Sequence, residues 1–201
     1  YYEEMSLLKV DRFEGLSEFS VQSGRQVEND PTNILQKFYP ATVMEMTNSG
    51  EFKSVVSVFI SFEEIDNYSN INEFVTVILD EVNSFSGYFK EMDFGDKGGV
   101  ITVFFGIPIT FENNVERALA FVGALGEVFA STNFKYRIAV TEGVAFAGII
   151  GGVARSQYAA VGNRVNLAAR LMSYANWGEI LVDERVSKEK NFQFDYKGKI
   201  K

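Results

Sequence analysis

The strongest constraint on the fold is a hairpin signal in the middle of the chain. GYFKEMDF (87–94) and VITVFFGIP (100–108) are β-branched and aromatic runs, and the GDKGG between them carries Gly98 and Gly99, which allow the positive φ of a tight turn. Helix and strand patterns lie on both sides of it. Upstream, SVVSVFISF (54–62) has the make-up of a buried strand, and NINEFVTVILDEVNSF (70–85) places Phe74, Val77, Ile78, Leu79 and Val82 at helical spacing. Downstream, ENNVERALAFVGALGEVFA (112–130) reads as a helix capped by Asn113 or Asn114, and KYRIAVTEGVAFAGII (135–150) as a strand that turns at Gly143. SQYAAVG (156–162) reads as a strand, VGNRVNLAARL (161–171) as a helix, EILV (179–182) as a strand, 183–189 as a short helix and QFDY (193–196) as a last strand. This order predicts an α+β fold: a ferredoxin-like βαββαβ sandwich, helices on one face of a mainly antiparallel sheet, with an extra C-terminal strand-helix-strand.

Residues 1–50 are weakly periodic, with Pro31, Pro40 and the polar run SGRQVENDPTN, and read as a linker or annex to a domain at 51–201. A chain opening on Tyr-Tyr-Glu-Glu rather than Met reads as part of a longer polypeptide. Its 19 basic and 27 acidic residues give a net charge of −8 without a Lys/Arg-rich run, which argues against a nucleic-acid surface and against acidic membranes. No apolar stretch approaches the ~18 residues of a membrane span. The chain has no Cys and no His, which excludes disulfides, thiolate zinc sites, Ser-His triads and His bases. Carboxylates, Lys, Arg and bound metal are the chemistry left. AGIIGG (147–152) lacks the Lys-Ser/Thr ending of a phosphate-binding loop and reads as a turn.

VGNRVNLAARL holds the most informative polar residues. Val165, Leu167, Ala168, Ala169, Leu171 and Met172 cover most of the helix surface and leave a narrow stripe of Asn166, Arg170 and Ser173. So apolar a helix is expected to be largely buried, with its stripe turned toward a ligand or partner rather than bulk water. Spacing alone favours a surface Arg with a capping Asn.

QYAAVGNRVNLAARLMSYANWGEILVDERV (157–186) closely resembles the class III nucleotidyl cyclase segment Tyr-x-x-x-Gly-x-x-Val-Asn-x-Ala-x-Arg followed by Gly-Glu-Ile-Leu-Val. SVVSVFISFEEI and FGDKGGVITVFFGIP resemble the two strand regions that carry that family's metal-binding aspartates, so the likeness runs from about residue 50 to 190 in order. It is nearest to the second catalytic domain of soluble, bicarbonate-type adenylate cyclases and their bacterial tandem relatives. The resemblance implies a cytoplasmic enzyme that joins the ribose 3′-oxygen to the α-phosphate and expels pyrophosphate. It also implies Mg or Mn ions and a site shared between two cyclase domains.

Carried over residue by residue, the set is partial. Asn166 falls on the asparagine that orients the ribose and Arg170 on the arginine that stabilises the transition-state phosphate, a role suited to a permanently charged fork. Asp96 falls on the second metal aspartate, or it caps the hairpin turn. Ser61 stands where the first metal aspartate belongs, and a neutral hydroxyl is a poor Mg²⁺ ligand. Met92 and Ala159 stand at the two purine-reading positions, as apolar lining of the nucleotide pocket. The resemblance therefore implies half of a cyclase that turns ATP, or GTP, into the cyclic nucleotide. A second cyclase domain, expected in the same polypeptide, would hold most of the metal. The alternative is a degenerate, non-catalytic domain that binds a nucleotide or effector or regulates a neighbour. A diguanylate cyclase is disfavoured, because GDKGG is not the Gly-Gly-Asp/Glu-Glu-Phe hairpin.

Overall fold

A computed structural model of the chain describes residues 38–46, 50–63, 68–95, 98–131, 134–152 and 155–198. The chain divides between Phe38 and Tyr39, and the elements below belong to the second unit, Tyr39–Lys201. They run α1 (Ala41–Met44), β1 (Gly50–Phe62), α2 (Tyr68–Ser84), β2 (Tyr88–Gly95), β3 (Gly98–Phe105), α3 (Asn114–Ala130), β4 (Tyr136–Gly152), β5 (Arg155–Val161), α4 (Asn163–Tyr174), β6 (Ile180–Val182) and a 3-10 turn at Val186–Lys188. The sheet order is β2-β3-β1-β4-β5, with β6 also on β4. The pairs β2–β3, β3–β1, β1–β4 and β4–β5 are antiparallel, and β6 runs parallel to β4 along Ile138–Val140. The βαββαβ core and its added β5-α4-β6 are those predicted.

Alternation along β1 explains the two layers. Val56, Val58, Ile60 and Phe62 enter the main core against Phe74, Ile78 and Val82 of α2 and Phe121, Leu125 and Phe129 of α3. Phe74 is fully buried, with ring centroids 4.8 Å from Phe62, 5.0 Å from Phe129 and 5.0 Å from Phe134. Val55, Ser57, Phe59 and Ser61 face the other way. There α4 sets Leu171 and Met172 against Ala139 and Phe59, so the third large helix lies across the sheet from α2 and α3, not on one face with them.

The sheet also curls. Its two outer strands meet: the Tyr88 and Tyr158 rings lie 5.4 Å apart, and Tyr88 Oη donates to the Tyr158 carbonyl at 3.4 Å. Tyr88 and Tyr158 join Val55, Phe104, Ala145 and Val165 in a second core, which also takes Val43 from α1. The short helix before residue 50 therefore packs on the sheet.

Of the two turn glycines only Gly98 takes the positive φ expected of both, and Gly99 is kept bare by a close approach instead. Gly98 has φ +106°, and a Cβ there would lie 2.0 Å from the Phe62 carbonyl oxygen, while a Cβ on Gly99 would lie 2.0 Å from Phe62 Cζ. Residues 96–97 fall outside the described residues, and Asp96 with them.

Several local expectations are corrected. Gly143 does not turn the chain: β4 continues through it to Gly152, so AGIIGG is strand rather than turn. Both flanking strands hydrogen-bond to this stretch, which keeps it extended. Asn113 occupies the cap position of α3 without a side-chain cap bond, and Asn114 Oδ1 instead accepts the Phe111 N–H at 3.2 Å. The short helix at 183–189 is a 3-10 turn, and QFDY forms no strand because it pairs with no neighbour.

Candidate functional site

The site is built on α4, and the sequence explains its seat. Gly162 begins it, where a Cβ would stand 3.2 Å from the Ala145 Cα and Cβ, so the two backbones cross closely there. Thr141 Oγ1 donates to the Arg164 carbonyl at 2.8 Å in the first turn. In the last turn Arg137 Nη1 donates to the carbonyls of Ser173 and Ala175, each at 3.3 Å, which satisfies acceptors that a helix end leaves open. The Arg137 guanidinium also lies 4.9 Å from the centre of the Trp177 ring.

Val165, Ala168, Leu171 and Met172 are buried, and Asn166, Arg170 and Ser173 form an exposed stripe. The apolar helix is thus buried along one face only, with Leu167 and Ala169 half-buried at its margins. Asn166 and Arg170 stand one turn apart on the exposed side of the helix. Such a pair suits a sugar hydroxyl and a phosphate, the Arg offering two parallel N–H donors.

The other predicted positions lie elsewhere. Ser61 is buried near the end of β1, with Arg137 opposite it in the β4 ladder. Met92 is paired with Ile101 and packs against the α2/α3 core, on the sheet face opposite Ser61. Ala159 is buried in β5, its neighbours Tyr158 and Ala160 turned into the second core. Neither Met92 nor Ala159 offers a polar side-chain group. Among the described residues no three acidic side chains gather as a metal site. Ser61 does not fit as a metal ligand, since a buried neutral hydroxyl supplies no charge against a divalent ion.

Three features escaped the sequence reading. A bulge between Phe89 and Glu91 leaves Lys90 as the extra residue of β2, without a partner in the register with β3. The Lys90 ammonium is nearly buried and donates to Glu91 Oε2 at 2.8 Å and to Gln157 Oε1 at 3.0 Å, closing the gap between the outer strands. Asp183 is buried, with Arg164 Nη1 at 3.3 Å from its Oδ2 and the Val186 N–H at 3.1 Å from its Oδ1. Burial pushes the Asp183 carboxyl up, and the N–H donors and Arg164 offset this only in part. Arg137 is the third, a half-buried cation that nothing in its local pattern marks. A cavity of about 330 Å³ lies against the start of α3, lined by Lys53, Thr110, Glu112 and Glu142 among others, and contains none of the predicted site residues.

Residues 51–201 match the family model for the adenylate and guanylate cyclase catalytic domain. This chain belongs to the class III nucleotidyl cyclases. Human adenylate cyclase type 10 is 26% identical over 70% of the chain, of which the chain spans 10%. An uncharacterized protein of Mycobacterium tuberculosis is 34% identical over 52% of the chain, which covers 18% of it. The chain therefore spans a tenth to a fifth of the length of these curated relatives. Among solved structures, the adenylyl cyclase CyaB from P. aeruginosa is similar with a TM-score of 0.63 and 20% identity, over 70% of this chain and 82% of that one. The catalytic core of a rhodopsin-guanylyl cyclase with converted specificity, in complex with ATPαS, gives 0.62 and 19%, over 74% and 88%. Both show the cyclase fold.

Proposed function

We propose that this chain is one half of a composite cyclase site and supplies Asn166 and Arg170 to it. In the reaction the ribose 3′-oxygen bonds to the α-phosphorus, the bond from that phosphorus to the bridging oxygen of pyrophosphate breaks, and the 3′-hydroxyl proton leaves to a base or solvent. Asn166 orients the ribose through its amide. Arg170 sets its guanidinium against the α-phosphate oxygens, where negative charge grows as the new bond forms. Class III cyclases depend on divalent metal, which activates the oxygen and neutralises phosphate charge. Ser61 does not fit that task, so the ions belong to the partner domain, with Asp96 a secondary contributor. Met92 and Ala159 give the purine no hydrogen-bond partner, so choice of ATP over GTP falls to the partner as well. ATP is the proposed substrate, by analogy with adenylate cyclase type 10.

The observation that carries this reading is the exposure of Asn166 and Arg170 one turn apart on an otherwise anchored helix. The test is turnover of ATP and GTP with Mg²⁺ or Mn²⁺ by the chain alone and combined with a cyclase domain bearing both metal aspartates. The chain alone is expected to be inactive and the combination active. Robust turnover by the purified chain alone would reject the proposal. In the active pair Arg170→Ala lowers kcat by roughly 10²-fold or more with a smaller effect on KM, as for other lost transition-state donors.

One observation favours a second reading. The buried hydroxyl at Ser61, with no acidic cluster among the described residues, suits a domain that binds nucleotide or regulates a neighbour without catalysing. Unchanged turnover in the Arg170→Ala pair would select it.

A further inference from the structure

Resting on the proposed role of Asn166 and Arg170, we infer that Arg164 and Asp183 are positioning residues whose ion pair sets the seat of α4 on the sheet. Arg164 lies two residues before Asn166 and points back beneath the helix rather than out along the stripe. Its stem crosses Gly143 so closely that a Cβ there would come within 2.4 Å of Arg164 Cγ. Gly143 therefore has a spatial task in mid-strand: it makes the channel through which the side chain passes. At the far end the guanidinium reaches Asp183, whose side chain is 7% exposed against 37% for Arg164.

Asp183 is itself fixed. Its N–H donates to the Val140 carbonyl at 3.1 Å, its carbonyl accepts from Ser187 at 3.0 Å, and its Oδ1 accepts the Val186 N–H at 3.1 Å. Asp183 is thus tied to β4 through its amide and to the 3-10 turn through its carboxylate before it meets Arg164. Thr141, two residues before Gly143, holds the Arg164 carbonyl. The first turn of α4 is tied at its backbone to β4 and at its side chain to Asp183, just past the end of β6. Rotation of the helix about its axis, which would swing Asn166 and Arg170 away from a shared direction, has to break the Arg164 pair. Breaking it leaves a buried carboxylate without its countercharge, a strongly unfavourable state.

The test uses Arg164→Met, Asp183→Asn and Arg164→Lys, with Arg170→Ala as the control for the site. Hydrogen exchange on the whole chain reads the seat, and turnover of Mg-ATP in the chain combined with a metal-bearing cyclase domain reads its consequence. In Arg164→Met and Asp183→Asn the amides of 166–172 exchange about tenfold faster while those of α2 and α3 keep their protection. In the same variants kcat falls about tenfold with KM within about twofold, and Arg164→Lys recovers part of the loss. A variant that unfolds would lose α2 and α3 protection too, and Arg164→Lys, which keeps the charge and most of the stem, then decides. Unchanged α4 exchange, or unchanged kcat where Arg170→Ala is inactive, overturns the inference. If Arg170→Ala leaves turnover intact, it is the site reading that fails, and α4 exchange alone decides whether the pair seats the helix.

Discussion

Asn166 and Arg170 are exposed, so their removal separates function from folding. Asn166→Ala is expected to change unfolding free energy by no more than about 0.5 kcal/mol, the usual range for surface positions, while lowering turnover of the assembled pair. Denaturant unfolding and turnover measured on the same preparation check this, and a large stability loss would mean that Asn166 is structural. Gly143→Ala should behave in the opposite way. Its new Cβ overlaps the Arg164 stem, so a loss of stability with faster exchange in α4 is expected. The sequence made Asn166 and Arg170 legible because amide and guanidinium stand out in an apolar helix. Gly143 was misread as a turn, because the partner that requires its bareness is 21 residues away.

At the scale of elements, α2 and α3 depend on aromatic packing and α4 on polar ties. Phe74→Ala, at the centre of the ring cluster, should cost about 3–5 kcal/mol in denaturant unfolding. The end of α4 leads into a turn held by Glu179, whose Oε2 accepts the Asn176 N–H at 2.8 Å and whose Oε1 pairs with Lys197. The hydrogen bond from Lys197 and then those from Asn176 hold the Glu179 carboxyl down from 4.5 to about 2. A carboxyl lowered in the folded state contributes stability above its ordinary pKa and loses it as pH falls through the folded value. Unfolding midpoints measured from pH 5 to 2.5 should therefore fall less steeply in Glu179→Gln than in the parent. Strand and helix positions were readable from periodicity. The bulge in β2 was not, because a slip of one residue leaves no mark in the pattern that precedes it.

For the whole molecule, the division of labour is the main consequence. On the proposed reading Asn166 and Arg170 serve the site while Ser61 does not fit the first metal position, so activity is expected only on combination with a complementary domain. Titrating such a domain against a fixed amount of this chain should give turnover that saturates near one to one. Turnover independent of this chain would show that the partner needs nothing from α4. The sheet's outer strands meet through Tyr88, Lys90, Gln157 and Tyr158.

The amino-acid sequence by itself determined the order of strands and helices, the family likeness, and which side chains stand out as chemistry. These follow from short-range regularities: alternation in strands, 3.6-residue spacing in helices, and turn residues at fixed offsets. The tertiary structure alone decided that α4 crosses to the opposite face of the sheet. It also decided that Met92 packs against the core, that Lys90 bridges two strand edges, and that Arg164 reaches a buried Asp183 past Gly143. Each of these is a contact between residues far apart in the chain, formed only when the sheet curls and its two faces are covered.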